Sequence, residues 1–344
     1  MTLVRSLPLL LALVACRAPS ASPGGGDDSP DAGVAMPDGY AGPDFCGARE
    51  PRTTPIAVFP TPESGEAPYT DALASAHSSI DMSIYLMGYG GILDQLEAKA
   101  SAGLAVRVIL DKSEINTNQK YYDRLAAAGV QVKWSDPRFT YFHNKYFVVD
   151  GNVAVFSTGN WSKDYSINLE RNFASVDRDP ADVADLSALF AADWAGTAPA
   201  MQCTRMVISP INARERILDV ITSAQHTLLI ESMQFADTAV RDAVKARIAA
   251  GVEVRALLAD PSWISANASA ATFLQGLGVT VKHIPHLHTK MLVADGVTGY
   301  VGSENFSYTS LDKNREVGAI LVEASSVAPL AMTFETDWTA GVSF

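Results

Sequence analysis

The sequence predicts an α/β protein made of two tandem homologous domains. Each is expected to be a mainly parallel mixed sheet flanked by helices, the two arranged as a pseudo-two-fold pair with a shared site at their interface. Three observations carry this. Apolar, strand-like runs alternate with helical stretches of about ten residues, which is the pattern of β-α-β units. The alternation is written twice, over 54–200 and again over 204–344. A short signature also recurs, HNKYFVVDG at 143–151 and HTKMLVADG at 288–296.

Each element has its counterpart. The first copy runs TPIAVFP, the helical YTDALASAHSS, the strand IDMSIYLM, a helix near Leu93–Ala102, the strand AVRVILD, a helix around Tyr122–Ala128 and VQVKW. The second runs MVISP, ARERILDVITSAQ, HTLLIES, a helix near Ala239–Ala250, VEVRALLAD, ASAATFLQGLG and VTVKH. The segments EINTNQKYYD, DPRFTY and DPSWISANAS are expected to be loops. Their aromatic residues Tyr121, Tyr122, Phe139, Tyr141 and Trp263 are expected to wall a cleft.

The signature itself reads as a strand. Residues two apart in a strand share a face, so His143 points with Lys145 and His288 with Lys290. Asp150 and Asp295 stand at the strand ends, each before a glycine, and Asp-Gly between apolar runs is a hairpin signal. They are assigned structural roles near the site. A second strand then leads into STGNWS and GSENFS, which contribute Thr158 and Asn160, Ser303 and Asn305. Glu170 follows its histidine by 27 residues and Glu316 by 28. Trp161 and Phe306, just after the asparagines, are expected to pack behind the hairpins.

H-x-K-x-x-x-x-D, then G-S-x-N, then a downstream acid resembles the pattern of the phospholipase D superfamily, from about residue 54 to the end. One departure is Ser157-Thr158 where the family pattern has Gly-Ser. The residues suit phosphodiester chemistry in their own right. Lys145, Lys290, Asn160 and Asn305 can neutralise and hydrogen-bond the non-bridging oxygens. One neutral imidazole can attack phosphorus while a second, protonated one donates to the leaving oxygen. The two rings are therefore expected to have separated pKa values. Glu170 and Glu316 are the candidates to fix the rings' tautomers; the sequence leaves open which glutamate serves which histidine. The resemblance implies a phosphohistidine intermediate, with His143 as nucleophile and His288 as general acid, and requires no cofactor or metal. His283 and His286 beside His288 lack nearby carboxylate or cysteine ligands at metal spacing.

The ends of the chain carry further expectations. Arg5, the apolar run from Leu7 to Ala15, and Leu13-Val14-Ala15-Cys16 resemble a lipoprotein signal over 1–16, with Cys16 lipidated. Residues 17–53, rich in Gly, Pro and Asp, read as a flexible tether. An exported chain meets an oxidising compartment, so Cys46 and Cys203 are expected to be a disulfide, the alternative being two buried thiols. The family-level expectation is a lipid-anchored protein at the outer membrane, acting as a monomer because one chain holds both motifs.

Composition narrows the substrate. The 344 residues are 48% hydrophobic, enough for a sizeable core, with a net charge of −12. Beyond residue 45 there remain 24 basic and 33 acidic side chains. That balance disfavours a nucleic-acid grip, which needs clustered Lys and Arg. A phospholipid head-group phosphodiester is the expected substrate, cleaved by water or exchanged with another alcohol. A metal-independent nuclease acting on DNA or RNA is the alternative, and a non-catalytic binding lipoprotein a more distant one.

Overall fold

The computed structural model describes residues 47, 49–162, 167–199, 201 and 204–344; Cys16, Cys46 and Cys203 lie outside them. The first half comprises β1 (Ala57–Thr61), α1 (Ala67–Ala74), β2 (Ser79–Ile84), α2 (Gly90–Ser101), β3 (Ala105–Leu110), α3 (Ile115–Ala127), β4 (Gln131–Trp134), β5 (Lys145–Val149), β6 (Val153–Ser157), β7 (Asn172–Asp177) and α4 (Pro180–Ala195). The second comprises β8 (Met206–Ser209), α5 (Ala213–Ser223), β9 (Thr227–Ser232), α6 (Thr238–Ala249), β10 (Glu253–Ala259), α7 (Ala266–Gly276), β11 (Thr280–Ile284), β12 (Lys290–Ala294), β13 (Thr298–Gly302), α8 (Tyr308–Asp312), β14 (Glu316–Leu321), α9 (Ala324–Ala340) and β15 (Val342–Ser343).

The first sheet has the order β1-β7-β6-β5-β2-β3-β4 and the second β8-β14-β13-β12-β9-β10-β11, with β15 added beyond β11. The duplication is thus repeated strand for strand. The sheets are mixed, as expected, but not mainly parallel. Pairing is parallel within β2-β3-β4 and β9-β10-β11 and antiparallel elsewhere. The cause is connectivity. Helical crossovers allow parallel neighbours, whereas Asp150-Gly151 and Asp295-Gly296, all at positive φ, begin three-residue hairpin loops that reverse the chain, Val149 pairing with Val153 and Ala294 with Thr298.

One apolar layer joins the halves. It combines β5–β7 and β12–β14 with α4 and α9, through Val148, Phe156, Phe173, Leu186, Phe190, Met291, Val317, Leu330 and Phe334. Separate outer clusters lie under α1–α3 and under α5–α7. Buried ion pairs tie the halves, among them Arg171 Nε to Asp337 at 2.7 Å and Arg315 Nη2 to Asp193 at 3.0 Å. Removing one partner from such a pair strands a buried charge, at a cost of roughly 3–5 kcal/mol. α3 begins earlier than its sequence suggested, taking in Ile115–Tyr121. Asn and Thr are weak helix formers, and here Asn118 is instead fixed by donating to the Tyr85 carbonyl at 2.8 Å.

Candidate active site

The histidines stand just before β5 and β12, where the halves exchange backbone. Thr140 N–H donates to the Lys313 carbonyl and Arg315 N–H to the Tyr141 carbonyl, both at 3.0 Å. The mirror exchange has Arg171 N–H donating to His286 and His288 N–H to Arg171, also at 3.0 Å. Each histidine is thereby laid against the acid-bearing segment of the opposite half. His143 Nδ1 meets Glu316 Oε2 at 2.7 Å, and His288 Nδ1 lies 3.2 Å from Glu170 Oε2. The question of which glutamate serves which ring is settled: the pairs are crossed. The carboxylate bonds Nδ1 of His143 and stands beside Nδ1 of His288 without hydrogen-bond geometry, so on each ring Nε2 is the nitrogen left for a reactant.

The supporting bonds differ in number. Glu316 Oε1 accepts from Ser310 Oγ at 2.5 Å and Asn314 Nδ2 at 2.9 Å. Asn172 Nδ2 donates to Glu170 Oε2 at 3.3 Å, and Thr158 Oγ1 donates to Asn172 at 2.8 Å. Lys145 Nζ bonds the His143 carbonyl, and its ammonium lies 5.1 Å from the Tyr85 ring centre. Lys290 Nζ donates to the His288 carbonyl at 2.6 Å and reaches across to Thr158 O at 3.2 Å. The side-chain oxygens of Asn160 and Asn305 are buried without a partner among the described residues, so each amide has an acceptor uncommitted.

Burial dominates the electrostatics. It pushes His143 down to about 4 against the pull of Glu316, with Lys145 adding to the fall. It pushes His288 down to about 4 as well, helped by Lys290 and opposed by Glu170. Burial, with a lysine beside each ring, thus lowers both histidines alike, and the expected separation of the two is not seen in these surroundings. Burial also drops Lys290 to about 7, against the attraction of Glu316, Glu170 and Glu304, and holds Lys145 well below its usual range. Burial raises Glu170, but His288 and Lys290 outweigh it and bring the group to about 2. His143 and Lys145 likewise keep Glu316 below its ordinary value despite its burial.

The structure brings together His143, Lys145, Glu170, His288, Lys290 and Glu316. Asp150 and Asp295 do not belong near them. They lie at the far ends of β5 and β12, roughly 16 Å along the strand from the lysines at ~3.3 Å per residue. Asp150 accepts from the backbone N–H groups of His77, Ser78 and Ser79 at 2.7–2.8 Å, and Asp295 from Gln225, His226 and Thr227. Their role is structural, as expected, but it is to anchor the starts of β2 and β9. Ser303 Oγ accepts from Val317 N–H at 3.1 Å, as Thr158 Oγ1 does from Phe173 at 2.9 Å. Trp161 and Phe306 are fully buried packing residues.

Of the expected cleft aromatics, Tyr141 and Trp263 approach the site. Tyr141 packs on Tyr85, itself 4.6 Å from the His143 ring, and Trp263 lies 6.0 Å from His288. Tyr122 is stacked on Trp134 instead, and Phe139 packs against Phe142 under Arg315. Sequence reasoning passed over Tyr85, Asp111 and Glu304. Asp111 is buried and accepts from Phe142 N–H, which fixes the approach to His143. Its signal was visible in the matching strand-end aspartates of AVRVILD and VEVRALLAD; the second, Asp260, pairs with His283 at 3.0 Å. Among the described residues, no group of three His, Cys, Asp or Glu is placed to hold a metal ion.

A family profile described as "Cardiolipin synthase, PLD-like domain" matches residues 69–194 and again 217–338. The chain belongs to the phospholipase D superfamily. Among relatives of this superfamily, a probable cardiolipin synthase, YwiE, of Bacillus subtilis (strain 168) is 24% identical over 333 residues, covering 80% of this chain and 65% of the relative. The chain thus spans somewhat less than two thirds of that protein's length. Two solved structures share the fold. Phosphatidylserine synthase of Haemophilus influenzae Rd KW20 matches with TM-score 0.63 and 12% identity, over 84% of this chain and 87% of that one. Polyphosphate kinase of Porphyromonas gingivalis matches with TM-score 0.65 and 16% identity, over 83% and 47%.

Proposed function

We propose that the protein is a phospholipase D-type phosphodiesterase that transfers the phosphatidyl group of a phospholipid, through His143, to water or to another alcohol. The observation that supports this most is the crossed pair of His–Glu dyads flanked by two buried lysines. Lys145, Lys290 and the two asparagine amides receive the non-bridging oxygens. His143, held through Nδ1 by Glu316, attacks phosphorus with Nε2. The bond to the head-group oxygen breaks and its electron pair leaves with that oxygen, which takes a proton from His288. Both rings start neutral, so the proton reaches His288 once the anionic substrate sits beside it and favours the charged ring. In the return step His288 takes the proton of the incoming water or alcohol, whose oxygen displaces His143 from phosphorus.

The Bacillus subtilis relative is named a probable cardiolipin synthase, which favours an alcohol as acceptor. Membrane attachment through a lipidated Cys16, and action as a monomer, belong to the same proposal. Among the described residues no helix is long and apolar enough to cross a membrane.

The test uses purified protein with phosphatidylglycerol micelles in EDTA, and with single-stranded DNA in parallel. Phosphatidic acid or cardiolipin should form, and His143→Ala should abolish both. Cleavage of DNA with the lipid untouched would replace the substrate class and keep the two-histidine chemistry.

A further inference from the structure

Glu304 has no place in the chemistry above, yet none of it reaches solvent. Its Oε2 accepts from the Tyr300 hydroxyl at 2.7 Å, and its Oε1 is buried with no hydrogen-bond partner among the described residues. Two missing side chains make its slot. A Cβ on Gly302 would lie 2.3 Å from Oε2, and one on Gly318 2.9 Å. Gly302 and Gly318 are paired across β13 and β14, and Gly318, two residues after Glu316, shares its face of the strand. The carboxyl therefore lies alongside the carboxylate that holds His143. The first half has no such group, because Gly159 occupies the equivalent position.

The geometry assigns Glu304 as a positioning residue whose bound proton keeps a third carboxylate charge out of the site, beside those of Glu170 and Glu316, so that an anion can enter. A buried carboxylate with one hydroxyl partner and a like charge beside it is costly, and it escapes that cost by taking up a proton. The groups facing it agree. Glu316 on β14 repels its charge, and Tyr300 on β13 bonds it. Lys145 on β5 and Lys290 on β12 are the cations it would otherwise offset. Burial and then Glu316 push it up to about 8, while Tyr300 and Lys145 pull the other way. Ionised, it would add a third carboxylate charge beside Glu316 and oppose a phosphate. This rests on the reading of the site as one for a phosphodiester.

Two measurements on the full chain test it, each comparing wild type with Glu304→Gln. With the glutamate side-chain carboxyls labelled with carbon-13, the resonance missing from the variant should be that of a protonated acid at neutral pH, and it should ionise near about 8. Inorganic phosphate binding should be alike in the two proteins at neutral pH. Above that range wild type should weaken relative to the variant by up to roughly tenfold per pH unit. A resonance already ionised at neutral pH, or binding curves that fall in parallel, would overturn the assignment. If neither protein bound phosphate at any pH, the phosphodiester reading itself would fail, and the carboxyl resonance would still decide whether Glu304 holds its proton.

Discussion

The two copies of the site share one motif and differ in how firmly they are held. Glu316 is fixed at both oxygens, by His143 on one side and by Ser310 and Asn314 on the other. Glu170 has His288 at 3.2 Å and the Asn172 amide at 3.3 Å, both on Oε2. Asn168, which stands where Asn314 does in N-x-E, is exposed and bonds Tyr89 instead. Because the halves exchange supports, the stiffer acid of the second half works on the histidine of the first. Duplication supplied two equivalent rings, and divergence in their supports made them unequal. A rigid, neutral His143 suits a nucleophile, which must present Nε2 along one line. A looser His288 suits a group that passes a proton both ways.

The largest test of that inequality is at the glutamates. Glu316→Gln should lower kcat by roughly 100-fold or more, since it disturbs the tautomer of the attacking ring. Glu170→Gln should cost roughly tenfold. Steady-state kinetics on both variants check this, and equal losses would erase the distinction.

A smaller test concerns packing. The second half pairs a small residue 302 with a large residue 304; the first pairs Ser157 with Gly159. Ser157 Oγ bonds the Tyr69 hydroxyl at 3.0 Å and accepts from Gly159 N–H at 3.1 Å. Gly302→Ser would drive a Cβ to 2.3 Å from Glu304 Oε2 and 2.6 Å from Gly318 Cα, a loss of about 1–3 kcal/mol. Ser157→Gly should cost about 1 kcal/mol. Adding Glu304→Gly to Gly302→Ser should recover part of the loss, which chemical denaturation of the three variants would report.

Much of this was legible from the sequence because the duplication doubled every signal. The order of strands and helices, the paired histidines, lysines and glutamates, and the packing role of Trp161 and Phe306 all follow from local pattern and spacing. What escaped depends on contacts between distant segments. The crossing of Glu316 to His143 is made by backbone exchange between 140–141 and 313–315. The sheet direction was misjudged because alternation of strand and helix over β2–β4 says nothing of β5–β7, where hairpins take over. Asp150 and Asp295 are expected near the site but lie away from it, since proximity in sequence hides a full strand length in space. Glu304 stood in plain view in GSENFS, but its burial depends on Gly318, which lies fourteen residues further on.

The measurement that bears most directly on the central claim is the position of the covalent phosphate. Protein quenched during turnover of a phospholipid labelled in its phosphate should carry acid-labile, base-stable label on His143. The label should accumulate in His288→Ala, which is slow to release it, and be absent from His143→Ala. Label on His288 with His143 unmodified would reverse the roles and contradict the link between the firmer glutamate support and the nucleophile.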